Sequence, residues 1–246
     1  MIWLRSIAFN VLFYVNLALF VVLGAEFFLV PRKIAVRALQ TWARTSLWLL
    51  KVTCAIGMEV RGRENIPQGA ALVASKHQSL WETFAILPLL DDPAMVLKRE
   101  LSFIPFFGWF IFKFRMIRVE RSAGSSALKR MIADAKEAAR LGRQIVIFPE
   151  GTRRSPGAPP DYKPGAAALY LNLGLSCVPV AVNSGLYWPR RKFLRYPGTI
   201  VIEFLPAIPP GLPRKLFSTG LEAAIETATN RLAGEGRGLY KQRTGS

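Results

Sequence analysis

The single histidine of this 246-residue chain, His77, is the side chain best suited to acid–base chemistry at neutral pH. It follows a predicted strand at residues 70–75, and Glu82 lies five positions after it. Such a histidine can accept a proton from a hydroxyl, and a carboxylate on its other nitrogen would fix its tautomer. Residues five apart differ by roughly 140° around an ideal helix. The two side chains therefore meet only if His77 precedes a helix and Glu82 lies in its first turns. The alternative is a surface or core histidine that has no interaction with Glu82.

A second polar run, residues 148–154, has the sequence Phe-Pro-Glu-Gly-Thr-Arg-Arg and follows a strand pattern at residues 145–147. Glycine lets the backbone turn, so that Thr152 and the two arginines present donors at the end of a strand. Arginine fits a phosphate through paired hydrogen bonds. The run predicts an anion-binding loop, and a solvated loop with unrelated arginines is the alternative.

Two more runs complete the set of candidate motifs. Lys98 directly follows a predicted strand and could reach a phosphate bound at the strand ends. The aromatic piece that follows, residues 104–109, is a candidate lining for an acyl groove; an ordinary core element or a further membrane contact are the alternatives. Residues 178–185 are an apolar strand pattern for which structural support is at least as good an interpretation as direct chemistry.

Alternating strand and helix patterns must position these runs. Predicted strands cover residues 58–61, 70–75, 94–97, 116–119, 144–148, 177–182 and 199–204. Helices are predicted at residues 80–89, 125–141, 166–173 and 221–232. The alternation predicts an α/β domain over residues 58–234, with a mixed, mostly parallel sheet covered by helices. A basic tail, residues 235–246, is predicted to be mobile.

The first 57 residues predict a membrane anchor. Residues 7–30 are almost entirely apolar, near the roughly 20 residues that cross a hydrocarbon core as a helix. Residues 38–57 mix tryptophan and leucine with arginine and lysine, which is typical of an amphipathic helix in the headgroup region. A signal peptide is the alternative for the first stretch and an ordinary core helix for the second. Whether the first helix spans the membrane or dips into one leaflet is left open.

The composition limits the partners of the chain. There are 33 Lys and Arg against 16 Asp and Glu, a net charge of +17, and 51% of the residues are apolar. Disorder is excluded by the apolar fraction, and nucleic acid is disfavoured because no known reader motif appears. One histidine and two cysteines give no zinc-site spacing. The mixture favours a protein on acidic lipid, with these candidate contacts: Arg32, Lys33, Arg37, Arg44, Arg190, Arg191, Lys192 and Arg195.

In their order and spacing, the four runs resemble the motifs of the glycerolipid acyltransferase family. The family's first motif is a histidine followed after four residues by an aspartate, and its third is Phe-Pro-Glu-Gly-Thr-Arg, which residues 148–153 match. Its second corresponds to residues 98–121 and its fourth to residues 178–182. Glu82 stands where the family usually has aspartate, which keeps the carboxylate and adds a methylene. The second motif, which often ends in Asp-Arg, has Glu120-Arg121 here.

The resemblance implies a fold, a site and a reaction. His77 would be the general base and Glu82 its partner. The acceptor would be bound by the third motif and, more loosely, by two cations of the second: Glu150, Gly151, Thr152, Arg153, Lys98 and Arg118. The implied reaction moves a fatty acyl group from acyl-CoA or acyl carrier protein to the sn-2 hydroxyl of lysophosphatidic acid, without a metal or bound cofactor. A two-helix membrane motif is implied as well, in a bacterial inner membrane with the active site at the cytoplasmic face.

Three alternatives stay open beside this interpretation. In the first, the acceptor is another lysolipid, such as lyso-ornithine lipid. In the second, a serine, Ser75 or Ser79, carries the acyl group covalently. From a different class, the chain is a non-catalytic protein that binds membrane surfaces. Acyl chain length, donor preference and oligomeric state are not predictable from the sequence.

Overall fold

A computed structural model of the chain describes residues 1–104, 107–120 and 124–244. The strands in these ranges are β1 (Ile56–Arg61), β2 (Ala71–Ser75), β3 (Pro93–Lys98), β4 (Ile117–Val119), β5 (Gln144–Ile147), β6 (Cys177–Val182) and β7 (Gly198–Phe204). They form one seven-stranded sheet in the order β1-β7-β6-β2-β5-β3-β4. The β6–β7 pair is antiparallel and the other neighbouring pairs are parallel. The prediction of a mixed, mostly parallel sheet is confirmed.

The helices agree with the sequence patterns in part. They are α1 (Ile2–Leu23), α2 (Arg32–Cys54), α3 (Trp81–Ala85), α4 (Phe107–Lys113), α5 (Gly124–Arg140), α6 (Gly165–Leu173) and α7 (Arg214–Thr244). The predicted helix at residues 80–89 divides into α3 and a 3₁₀ turn, Leu87–Leu89. The sequence does not predict α4, whose seven residues are too few to establish a helical period. α7 is longer than predicted, and residues 235–244 of the expected tail continue it.

Side chains of the central strands alternate between two apolar layers. In β2, Leu72 and Ala74 pack in a layer with α5, α6 and α7, which supply residues such as Met131 and Phe217. Val73 faces the opposite layer, which contains Trp81 of α3 and residues of α1 and α2. Successive residues of a strand point to opposite faces, so a strand buried on both faces must be apolar throughout. This explains the continuous apolar run before His77.

The N-terminal helices pack on the second of these layers. Phe9 and Phe13 of α1 are buried against Trp188 and Phe84, with ring centroids 5.2 Å and 5.7 Å apart. Within the described ranges α1 is the one helix long and apolar enough to cross a membrane, with a mean hydropathy of 2.2. In its most apolar window 17% of the residues are buried, so most of its apolar surface faces away from the protein.

Two cations that the sequence assigns to lipid contact have partners within the protein instead. Arg32 at the start of α2 forms a two-pronged ion pair with Asp92, at 2.5 Å and 2.6 Å. Arg195 is 6% exposed, stacks on Trp188 at 4.2 Å and donates to backbone carbonyls of its own loop. Burial lowers the pKa of Arg195 to about 10. A guanidinium so enclosed is not free to bind a headgroup.

Some of the predicted features lie outside the described residues. They are residues 105 and 106 of the aromatic piece, Arg121 of the second motif, and the last two residues of the tail. Residues 107–109 of the aromatic piece begin α4, whose Phe110 is buried against Phe20 and Phe28 at the junction of α1 and α2.

Candidate active site

The parallel strands bring the candidate motifs to one edge of the sheet. β2 lies between β5 and β6 and runs parallel to both. Adjacent strands are about 4.8 Å apart. The segments that follow these strands, residues 76–82, 148–154 and 183–186, therefore lie side by side at the carboxyl end of the sheet.

His77 and Glu82 are in direct contact. Nδ1 of His77 lies 2.8 Å from Oε1 of Glu82. His77 is in the turn after β2 and Glu82 is the second residue of α3, so the structure meets the condition that the spacing sets. An ionised carboxylate can only accept a hydrogen bond, so Nδ1 carries the proton and Nε2 is the basic nitrogen.

Glu82 is fully buried and hydrogen-bonded through both carboxylate oxygens. Oε1 also accepts from the backbone N–H groups of Gln78 and Ser79, at 2.6 Å and 2.7 Å. Oε2 accepts from the hydroxyls of Ser79 and Ser184, at 3.0 Å and 2.7 Å. Burial acts to raise the pKa of Glu82, but these bonds and the contact with His77 outweigh it and hold the pKa below 4.5. The carboxylate is therefore charged at neutral pH and can hold the proton on Nδ1 of His77.

The imidazole of His77 is fixed by the loop after β5. Its ring stacks on Phe148, with centroids 4.2 Å apart and planes 22° apart. The carbonyl oxygen of His77 accepts the backbone N–H of Arg154 at 2.8 Å. These contacts join the base to the predicted anion-binding loop and set their relative position.

The loop after β5 begins with a tight turn. The N–H of Gly151 donates to the carbonyl of Phe148 at 2.8 Å, and Gly151 has a φ of +64°, in the left-handed region that glycine adopts most easily. Thr152 and Arg153 follow directly and are both partly exposed. The turn therefore brings their side chains to the sheet edge beside the base.

Arg153 is an unpaired cation near the base. Among the described residues, no carboxylate lies within the 4.0 Å of an ion pair with it. Burial lowers the pKa of Arg153; the charge of Glu82 opposes this, and the charges of Arg190 and Arg191 add to it. The guanidinium is thus available to an anion bound between the base and the loop.

Glu150, which the sequence assigns to acceptor binding, lies in a buried ion-pair cluster instead. Its Oε1 accepts from Nζ of Lys76 at 3.0 Å, and Nζ also donates to Glu226 of α7 at 2.6 Å. The Lys76 and Glu150 side chains are 3% and 1% exposed. Burial raises the pKa of Glu150, and the ion pair with Lys76 opposes this. The cluster ties the turn after β2 and the loop after β5 to α7, so the carboxylate of Glu150 supports the site from behind.

Lys98 and Arg118 lie further along the same edge. Lys98 ends β3 and is exposed; Arg118 is in β4, with its guanidinium 4.3 Å from the ring centroid of Phe112. β3 and β4 are two and three strands away from β2. At about 4.8 Å per strand, the backbones of these residues are roughly 10 Å and 14 Å from the β2 end. The fold thus brings Arg153, and not these two cations, next to the base.

Comparison with known proteins identifies the family. A family model described as Acyltransferase matches residues 57–183, more than half of the chain. The chain belongs to the acyltransferase family. The matched residues contain β2 to β6 and two segments of the candidate site, residues 76–82 and 148–154; Ser184 lies one residue beyond the match.

Named relatives of this acyltransferase-family chain occur in bacteria and in eukaryotes. A Pseudomonas aeruginosa 1-acyl-sn-glycerol-3-phosphate acyltransferase is 42% identical over 169 residues, 69% of this chain and 66% of that protein. A human 1-acyl-sn-glycerol-3-phosphate acyltransferase beta is 28% identical over 155 residues, 61% of this chain and 55% of that protein. The chain thus spans less than two thirds of the length of these relatives.

A solved structure has the same fold as this acyltransferase-family chain. The 1-acyl-sn-glycerophosphate acyltransferase PlsC from Thermotoga maritima superimposes with a TM-score of 0.78, covering 94% of this chain and 98% of that one. The two sequences are 22% identical, so the likeness concerns the architecture.

Three serines of this acyltransferase-family site have structural partners. Ser75 and Ser79, the candidate nucleophiles, are fully buried, and their hydroxyls donate to the carbonyl of Lys76 and to Glu82. Ser184, which follows β6, is also buried and donates to Glu82. Sequence reasoning missed Ser184 because it lies 102 positions from its partner. Its place directly after an apolar strand was the available signal.

Proposed function

We propose that the chain is a membrane-bound O-acyltransferase that moves a fatty acyl group from acyl-CoA or acyl carrier protein to the sn-2 hydroxyl of lysophosphatidic acid, giving phosphatidic acid. The observation that carries the proposal is the contact of His77 with the buried, charged Glu82 at the carboxyl edge of the sheet. The Pseudomonas and human relatives, both 1-acyl-sn-glycerol-3-phosphate acyltransferases by name, support the same acceptor.

His77 acts as the general base. Its Nε2 takes the proton of the acceptor hydroxyl, and the alkoxide oxygen attacks the thioester carbonyl to form a tetrahedral intermediate. Collapse of the intermediate breaks the carbon–sulfur bond, and the thiolate that leaves takes the proton back from Nε2. The negative charge of Glu82 stabilises the imidazolium between these steps. The acceptor oxygen is itself the nucleophile, so neither Ser75 nor Ser79 needs to carry the acyl group.

The loop after β5 binds the acceptor. Arg153 is the phosphate ligand because its guanidinium is unpaired among the described residues and lies near the base. Gly151 provides the turn, and Thr152 adds a hydroxyl donor. Lys98 and Arg118 attract the same anion from further along the edge. The reaction needs no metal or bound cofactor, because the thioester donor brings its own activated acyl group.

The acceptor and the product are membrane lipids, and α1 anchors the enzyme in the same membrane. Its outward side chains include Leu4, Val11, Leu19 and Val22, each more than half exposed. Lys33, Arg37 and Arg44 on α2 are free to meet acidic headgroups, each worth about 1 kcal/mol near the surface. The compartment is the bacterial inner membrane, with the active site at the cytoplasmic face.

The test is the release of free thiol from acyl-CoA or acyl carrier protein by the full chain, with and without lysophosphatidic acid. The proposal predicts release that requires the acceptor, with phosphatidic acid as the product by mass spectrometry. Release that ignores the acceptor means thioester hydrolysis and contradicts the proposal. Release with lyso-ornithine lipid but not with lysophosphatidic acid overturns the assigned acceptor.

A further inference from the structure

A basic loop, defined as residues 189–196, lies against the anion-binding loop after β5. Nη1 of Arg190 donates to the backbone carbonyl of Arg153 at 2.8 Å. The guanidinium of Arg190 thus lies against the backbone of Arg153, near enough for its charge to act on the Arg153 guanidinium. Arg191 and Lys192 follow on the exposed side of the turn.

The cations at this junction have no acidic partners. In residues 1–104, 107–120 and 124–244, no carboxylate lies within ion-pair distance of Arg153, Arg190 or Arg191. Burial is the first cause of the lowered pKa of Arg153, and the positive charges of Arg190 and Arg191 lower it further against the opposing charge of Glu82. The fold thus holds cations together that repel one another, an arrangement that a bound anion would relieve.

Arg191 has a backbone conformation that residues other than glycine rarely adopt. The N–H of Lys192 donates to the carbonyl of Pro189 at 3.2 Å, which makes Arg191 the third residue of a turn. Arg191 has a φ of +56°, in the region where glycine is favoured and other residues cost of order 1–2 kcal/mol. Its side chain is exposed, so burial does not explain the arginine. Such strain is typical of residues whose side chains function.

The far end of the basic loop is attached to the first turns of α1. The ring of Phe193 lies 5.0 Å from that of Trp3, and the backbone N–H of Arg195 donates to the hydroxyl of Ser6 at 3.0 Å. Ser6 and Arg195 are both buried. If α1 lies in lipid, the basic loop lies where the headgroups of that lipid are.

We propose that Arg190 and Arg191 form, together with Arg153, the site for the phosphate monoester of the acceptor lipid, at the membrane-facing entrance of the active site. The proposal rests on the proposed acylation of lysophosphatidic acid and assigns the recognition of its headgroup. A phosphate monoester carries about 1.5 to 2 negative charges at pH 7 and three strong acceptor oxygens, which suit several guanidinium groups. The anionic headgroups of the bulk membrane offer related chemistry and are the competing source.

The test compares Arg190→Gln and Arg191→Gln with the matched control Lys192→Gln, which removes the same charge from the same exposed loop. The readouts are KM and kcat for lysophosphatidic acid in mixed micelles, and binding to vesicles that contain acidic phospholipid. Each arginine variant is expected to raise KM about 10- to 100-fold, the loss of one charge-assisted hydrogen bond, with kcat within about threefold. Lys192→Gln is expected to leave KM and kcat near wild type. All three variants are expected to weaken vesicle binding equally, by about fivefold at most, because each removes one cation from the same loop.

Two further measurements make the outcome decisive. Arg191→Gly is expected to raise the urea midpoint, because glycine removes the strain, and still to raise KM as much as Arg191→Gln. Binding of soluble short-chain lysophosphatidic acid by calorimetry reports on the site without turnover. Unchanged affinity in Arg190→Gln and Arg191→Gln overturns the proposal, as does a KM rise that Lys192→Gln reproduces or that follows lost vesicle binding. If the wild-type protein has no transferase activity but the arginine variants bind lysophosphatidic acid more weakly than it does, the phosphate site is supported and only the proposed function is overturned.

Discussion

Replacing Glu82 with glutamine separates the charge of this side chain from its geometry. The amide carbonyl of Gln can take the place of Oε1 and accept from His77 and from the two backbone N–H groups. The amide NH₂ then faces the hydroxyls of Ser79 and Ser184, which can rotate to accept. The fold and the tautomer of His77 are expected to survive, while the negative charge is lost.

The magnitude follows from the contact with His77. When the imidazole takes the acceptor proton, it becomes a cation beside a buried anion. Two opposite charges about 4 Å apart attract by about 4 kcal/mol at an effective dielectric constant of about 20. A neutral amide replaces this with a hydrogen bond of about 1 kcal/mol. The remaining loss of about 3 kcal/mol corresponds to a fall in kcat of about 10²-fold. KM stays within about threefold, because the charge pair forms only as the reaction proceeds.

The assay is the release of thiol from acyl-CoA with lysophosphatidic acid, followed with a thiol reagent. The two cysteines, Cys54 and Cys177, are buried and unpaired, so the folded protein contributes little background. Glu82→Asp is the charge-preserving control, and its shorter reach is expected to cost less than the loss of charge. Urea denaturation establishes that the variants are folded. A folded Glu82→Gln protein with wild-type kcat would refute the assignment of Glu82 as the partner of the base.

Three more predictions follow from the described contacts. Ser184→Ala removes one donor from the buried carboxylate of Glu82 and is expected to lower kcat about tenfold, in the same thiol assay, from a loss of about 1–2 kcal/mol; an unchanged kcat would contradict it. Lys76→Met removes the cation that Glu150 and Glu226 share and is expected to lower the free energy of unfolding in urea by about 3–5 kcal/mol; an unchanged free energy of unfolding would contradict this role. Burial raises the pKa of Asp92, but the ion pairs with Arg32 and Arg143 lower it by more, so that it lies below 3.8. The charged carboxylate therefore stabilises the fold above pH 3.8. This stabilisation is lost as the pH falls through the lowered pKa. Asp92→Asn is therefore expected to flatten the acid limb of stability against pH, and an identical limb in both proteins would exclude this role.

The central strands β2, β5 and β6 were predictable from the sequence because they are buried on both faces and are therefore apolar throughout. The predicted bounds of all seven strands lie within two residues of the observed bounds. Their order in the sheet was not predictable, because pairings such as β1 with β7 join segments at opposite ends of the domain. α7 was predicted too short because Gly220, Gly234 and Gly236 interrupt its pattern, and packing of residues such as Phe217 and Leu232 overrides their low helix propensity.

The site was predictable where its parts are close in sequence. His77 and Glu82 are five residues apart, and elementary helix geometry states how they can meet. The role of Glu150 was not predictable, since its partners Lys76 and Glu226 are 74 residues before it and in the last helix. The family resemblance assigns Glu150 to acceptor binding with the rest of its motif, whereas the fold turns its carboxylate inward, toward Lys76.

The central claim is that His77 passes the acceptor's proton in a direct transfer from the thioester. The most direct measurement is a single turnover with a labelled acyl donor and lysophosphatidic acid, comparing wild type with His77→Ala at equal vesicle binding. The account predicts that wild type delivers the label to phosphatidic acid with none on the protein, and that His77→Ala is slower by about 10²- to 10⁴-fold. A variant within about tenfold of wild type, or label trapped on the wild-type protein, would contradict it.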